Sequence, residues 1–151
     1  MKLVLKCFCV LFSLPLLHGC FNKTHPIEIV SMDVLEAYLF DDSWQFVDLR
    51  SESEIIENGH IKGFETIAFH EEIVGKDIMS YHPETGFNPD HLHNKEELIR
   101  LFDNDKHIVL ICRRGIRAHY VKEALEHLGY DNVYNAGSVG DYNGQYYIPG
   151  E

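Results

Sequence analysis

The sequence predicts an α/β domain with one central, mostly parallel sheet flanked by helices. Three observations carry this reading. The chain has 151 residues, a length that suits one domain. Short strand-like stretches alternate with helical patterns, which is the order of strand–crossover–strand units with right-handed connections. Residues His107 to Ile111 form a near-continuous apolar run, as expected of a strand covered on both faces.

The elements follow in order. Ile27 to Val30 is a short strand candidate. Ser31 can cap a helix whose apolar face would be Val34, Leu35, Tyr38 and Leu39. Gln45 to Asp48 reads as a strand that ends in polar residues. Ser51 and Glu54 have capping-box spacing ahead of a short helix carrying Ile55 and Ile56, and Gly59 can end it. Thr66 to Phe69 is a further strand candidate. Glu71 to His93 is polar and longer than an ordinary connection, which predicts a functional or a mobile loop. Asn94 and Glu97 repeat the cap spacing before Leu98, Leu101 and Phe102. After His107–Ile111 comes a helix over Arg117–Leu128, with Ala118, Val121, Leu125 and Leu128 on one face and Gly129 at its end. Asn132 to Tyr134 is the last strand candidate.

Apolar residues make up 45% of the chain, enough for a core. The net charge of −11 argues against nucleic acid as a partner, because phosphates would be repelled. An anionic ligand would need a local positive site.

The amino terminus has its own pattern. Lys2 and Lys6 precede an apolar run from Cys7 to Leu17, too short for a spanning helix, followed by Gly19 and Cys20. Leu17-His18-Gly19-Cys20 resembles a bacterial lipobox. The resemblance implies a signal peptide over 1–19, lipidation of Cys20, a tether over 20–26 and a mature domain over 27–151. Such a protein is exported and held at a bacterial membrane by its acyl chains, on the periplasmic side or the cell surface. Cys7 and Cys9 would leave with the signal, so Cys112 would have no intramolecular disulfide partner.

The chemistry concentrates at Cys112-Arg113-Arg114-Gly115-Ile116-Arg117, between the buried strand and the following helix. Ligands in parallel sheets bind beyond the carboxyl ends of strands, which also points to Asp48 and Arg50. Free N–H groups at the helix start, the helix dipole and three arginines all favour negative charge on the sulfur. Gly115 allows the backbone to close a cradle around a sulfur or an oxyanion.

This loop resembles the active-site loop of the rhodanese family. Val47-Asp48-Leu49-Arg50 with Glu54, and Gly59-His60-Ile61-Lys62-Gly63, resemble two further motifs of that family in the same order. The similarity runs from about Ile27 to Tyr142, although Lys62 stands where the family often has proline. It implies a single rhodanese-like domain and a sulfurtransferase. Cys112 would take the outer sulfur of thiosulfate or a similar anionic donor, and the persulfide would pass to a thiol or cyanide acceptor. Arg113, Arg114, Gly115, Ile116 and Arg117 would bind the sulfur and the donor, with Arg117 shaping the loop through hydrogen bonds as well as offering its guanidinium to an oxyanion. Asp48, Arg50 and His60 would support the site. No cofactor is implied, and no metal: His70, His82, His91 and His93 do not have the spacing of a closed site.

Two other classes remain open. A cysteine phosphatase or arsenate reductase also sets cysteine and arginine around an oxyanion loop, but with five intervening residues, against four between Cys112 and Arg117. A non-catalytic module of the same fold, used for binding or redox sensing, is the other.

Overall fold

The computed structural model describes residues 27–151. The expected signal peptide, the expected lipidation site Cys20 and the expected tether lie outside the described residues. Among those described, no helix is long and apolar enough to cross a membrane.

Four parallel strands form the central sheet, ordered β3-β1-β4-β5. They are β1 Trp44–Asp48, β3 Glu65–Thr66, β4 His107–Cys112 and β5 Val133–Ser138. β4 shows why its sequence is almost wholly apolar. Ile108, Leu110 and Cys112 face one hydrophobic cluster; Val109 and Ile111 face another on the opposite side. Both layers are closed to water, so alternation in the sequence would have no purpose. A second, two-stranded antiparallel ribbon pairs β2 His60–Ile61 with β6 Tyr147–Ile148.

Helices cover both faces. On one side lie α3 Lys95–Leu101, α4 Ile116–His127 and a π-helical turn at Phe69–Val74. α4 buries Ala118, Tyr120, Val121, Ala124 and Leu125 against β4 and β5. On the other side a short α1, Met32–Leu35, continues as a tighter turn over Glu36–Tyr38. α2, Glu52–Asn58, follows β1.

The expected caps are present. The Ser31 hydroxyl accepts from Asp33 N at 3.2 Å, and Asn94 accepts from Glu97 N at 3.2 Å. Ser51 and Glu54 form a reciprocal capping box, with Glu54 N donating to Ser51 at 3.2 Å and Ser51 N to Glu54 at 3.1 Å. Each such cap contributes about 1 kcal/mol by satisfying donors that the first helical turn leaves free.

Several expectations change. Ile27–Val30 is not a strand; Val30 N makes one bond to Asn135 O at 2.9 Å. The face of α1 is rotated: Met32, Leu35 and Leu39 are buried, whereas Val34 is 64% exposed and Tyr38 is exposed. The strand expected over Thr66–Phe69 stops at Thr66, and the chain turns into the π-helical segment. β5 extends to Ser138, beyond the expected end at Tyr134.

The sheet order has a functional consequence. From β1 the chain steps outward to β3, then returns across β1 to β4 and continues outward to β5. The direction reverses between β1 and β4, and a crevice opens beyond their carboxyl ends at such a reversal. Asp48 and Cys112 are the last residues of these two strands.

Candidate active site

Cys112 ends β4 and forms part of a cleft of about 400 Å³. It is the one cysteine among the described residues and is free. Only 1% of its surface is exposed, so the sulfur is reached from the cleft alone. The cleft is lined by Arg113, Arg114, Ile116 and Arg117 from the loop, by Glu54 from α2, and by His70, Tyr81 and Pro83.

The loop that follows the cysteine is shaped from beneath by β5. Gly115 adopts the left-handed conformation, φ 78°, and a Cβ there would come within 3.3 Å of Gly137 Cα. Its carbonyl accepts from Asn135 Nδ2 at 3.1 Å, and Asn135 Oδ1 accepts from Gly137 N at 2.9 Å. The Ser138 hydroxyl donates to Arg113 O at 2.8 Å. A fully buried asparagine thus ties the loop to the strand it leans on.

α4 differs from the other α-helices in its start. α1, α2 and α3 each have a side-chain cap at Ser31, Ser51 and Asn94; α4 begins at Gly115 with none. Its first N–H groups have no acceptor within the helix, and they gather at the loop that carries Cys112.

Arg117 has the loop-shaping hydrogen bonds expected of it, and they leave little of it free for an anion. Its two Nη groups donate to the two oxygens of Glu54, each at 2.8 Å, and Nη1 also reaches Leu49 O at 3.3 Å. The guanidinium therefore braces α4 against α2 and the end of β1, and the face expected to grip an oxyanion is occupied by a carboxylate. The hydrogen bond from Arg117 holds Glu54 well below its ordinary 4.5, at about 2, against the opposing effect of burial. Arg117 is raised in turn, first by Glu54 and to a lesser degree by Cys112. Arg113 and Arg114 are exposed at the cleft rim and are available to an incoming anion.

The remaining expected residues lie outside this cleft. Asp48 and Arg50 form a buried ion pair at 2.7 Å, and Arg50 Nη2 also donates to Gly59 O at 2.7 Å. The pair pins the end of β1 to the end of α2. Arg50 borders a neighbouring cavity of about 300 Å³ that shares Glu54 and Arg113 with the cleft. His60 lies in the ribbon, paired with Ile148, and lines neither cavity.

Sequence reasoning missed four of the walls. Glu54 was legible as a cap and as part of a family motif, not as the partner of Arg117. His70, Tyr81 and Pro83 come from the stretch around Glu71–His93, which packs on the helical face and does not hang free. Tyr81 stands edge-on to Phe69 at 4.9 Å and to Tyr120 at 5.1 Å between ring centres. Burial raises its phenol, with a further push from the nearby Cys112 sulfur when charged. His91 bonds to the Tyr120 hydroxyl and lies parallel to its ring, with His82 tilted against it at 4.6 Å between ring centres. Among the described residues no group of three or more His, Cys, Asp or Glu side chains is placed to hold a metal ion.

A family match and two structural likenesses agree with this architecture. A family model described as the rhodanese-like domain matches residues 31–139. A rhodanese-like domain protein from Staphylococcus aureus superposes with a TM-score of 0.53 and 18% identity, covering 82% of this chain and 99% of that one. A protein of unknown function from Rhodopseudomonas palustris, described as a possible tyrosine phosphatase, gives 0.50 and 21%, covering 76% and 77%. A single-domain sulfurtransferase of Saccharomyces cerevisiae gives 0.48 and 21%, covering 79% and 90%. No curated protein matches the chain.

Proposed function

The chain belongs to the rhodanese-like domain family, and from that premise we propose that it is a sulfurtransferase working through a persulfide on Cys112. The observation that carries the reading is the placement of a free cysteine at the floor of a cleft, directly before an uncapped helix start. An anionic donor such as thiosulfate enters between Arg113 and Arg114, whose charges oppose the repulsion of an acidic protein. The ionised sulfur of Cys112 attacks the donor's outer sulfur. A new S–S bond forms, the donor's S–S bond breaks, and sulfite leaves with the electron pair. The N–H groups of the loop and of the first turn of α4 hold the persulfide. A thiol or cyanide acceptor then takes the outer sulfur and restores the cysteine. Gly115 and Asn135 keep the loop in shape, and Arg117, clamped by Glu54, fixes the helix start.

The amino-terminal pattern adds a location: a domain tethered through Cys20 to a bacterial membrane, outside the cytoplasm. A lipid-modified Cys20 in mass spectra of the protein from its native membrane tests that part.

The test of the chemistry is the intact mass of the folded domain before and after thiosulfate. The expected result is a gain of one sulfur atom that cyanide removes and that Cys112→Ser does not show. Hydrolysis of an aryl phosphate with no sulfur uptake would overturn the reading in favour of a phosphatase. Arg117 follows Cys112 after four residues, a ring of amides suited to one sulfur more than to a tetrahedral phosphate.

A further inference from the structure

The charges lining the cleft set a limit on what it can neutralise. Arg113, Arg114 and Arg117 are its cations, Glu54 is its carboxylate, and His70, Tyr81, Pro83 and Ile116 complete the wall. Glu54 does not merely stand near Arg117. It takes a donor from each Nη group, and both side chains are largely covered, 11% exposed for Arg117 and 21% for Glu54. That geometry removes one guanidinium from service toward the substrate. Two positive charges remain, and the Cys112 sulfur, which can attack only as the thiolate, offsets one of them at the moment of reaction. The reactive cleft is therefore matched to a single negative charge. Its surroundings add no further attraction, since the chain as a whole carries −11.

Room points the same way. A volume of about 400 Å³ exceeds the needs of a small inorganic anion, and Ile116, Pro83 and the Tyr81 ring offer apolar surface beside the sulfur.

We propose that Glu54 sets the donor's charge class: by occupying Arg117 it makes the site favour monoanionic organic thiosulfonates over dianionic thiosulfate. This rests on the sulfurtransferase reading and deepens it. The step balances for either donor. With a thiosulfonate, the cysteine sulfur attacks the terminal sulfur, and a sulfinate leaves with the electrons of the broken S–S bond. With thiosulfate, the leaving group is sulfite, which carries one more negative charge through the whole reaction. Glu54 touches no reacting atom and is a positioning residue.

The experiment compares kcat/KM for methanethiosulfonate and for thiosulfate at one pH and one ionic strength, in the wild type, Glu54→Gln and Arg114→Gln. The wild type should prefer the thiosulfonate. Glu54→Gln, which keeps the capping-box reach to Ser51, should move the ratio toward thiosulfate by about threefold to tenfold, the effect of one extra charge at contact range in a partly wet site. Arg114→Gln removes an exposed charge and should move it the other way. Added salt should shrink both shifts. A ratio that does not respond, or a wild type that prefers thiosulfate, overturns the inference while leaving the enzyme assignment intact. If Glu54→Gln does not fold, the wild type's own preference decides, and a preference for thiosulfate overturns the inference. Failure of both donors to add sulfur to Cys112 overturns the assignment and this inference together.

Discussion

The cleft has two sides of different construction. The floor and one wall, Cys112–Arg117, are secured by the sheet: Gly115 O is held by Asn135, Arg113 O by Ser138, and Arg117 by Glu54 and Leu49 O. The facing wall around His70, Tyr81 and Pro83 has almost no ladder behind it. One isolated bridge, Met79 with Leu92, closes the segment on itself, and aromatic edge contacts with Tyr120 plus two long hydrogen bonds, His82 N to the Tyr120 hydroxyl and Phe87 N to Glu123, hold it to α4. Strand-borne hydrogen bonds fix atoms to within the tolerance a bond-forming step needs, whereas ring-on-ring packing tolerates sliding. The difference assigns chemistry to the first side and access to the second.

Predictions can break that division. The most severe is removal of the pair that joins β1 to α2. Asp48 and Arg50 are buried and hydrogen-bonded, so Arg50→Met leaves a carboxylate without its partner and should cost about 3–5 kcal/mol in chemical denaturation. Next is Gly115→Ala. An alanine at φ 78° is strained, and its Cβ meets Gly137, so stability should fall by about 1–2 kcal/mol and persulfide formation should fall further. If sulfur uptake survived unchanged, the cradle would not need the geometry described.

The facing wall should respond more mildly. Tyr120→Phe removes the hydroxyl that bonds His91 and accepts from His82 N at 3.4 Å. The expected loss is about 0.5–1.5 kcal/mol, with sulfur uptake within twofold of the wild type by mass spectrometry. A large catalytic loss would show that this wall also acts in the chemistry.

The two sides should also separate by pH. Glu54 is lowered from 4.5 to about 2, chiefly by its hydrogen bond to Arg117. A lowered carboxylate stabilises above 4.5, and that contribution disappears as pH falls from 4.5 toward 2. His91 is lowered from 6.5 by burial and then by His82. A histidine held neutral stabilises above 6.5, and that contribution is lost as pH falls below it. Acidification should therefore loosen residues 80–93 first, seen as faster amide exchange near pH 6, while 112–117 stays protected until the Glu54 range. Simultaneous loosening would contradict the separation.

Much of this was legible in the sequence because it is local. The apolar run of β4, the caps at Ser31, Ser51 and Asn94, and the loop from Cys112 to Arg117 are each written in consecutive residues. What could not be read depends on distant partners. Glu54 meets Arg117 across 63 positions, and His60 pairs with Ile148 in a ribbon of two residues per strand, too short to leave a periodicity. The face of α1 was misread because Val34 and Tyr38 satisfy the helical spacing as well as Met32 does, and only the packing partner distinguishes them. The stretch Glu71–His93 is polar along the chain, yet Tyr81, Phe87 and His91 associate as rings, a property of rotamers and not of composition.

The depth of Cys112 has a consequence for self-association. A disulfide between two copies would need the two sulfurs about 2 Å apart and their Cα atoms within about 7 Å. With 1% of the residue exposed at the bottom of a concavity, two folded molecules would have to interpenetrate to meet that condition. Shape alone thus keeps this thiol from cross-linking two folded copies by a Cys112–Cys112 disulfide, while the cleft leaves it open to small molecules.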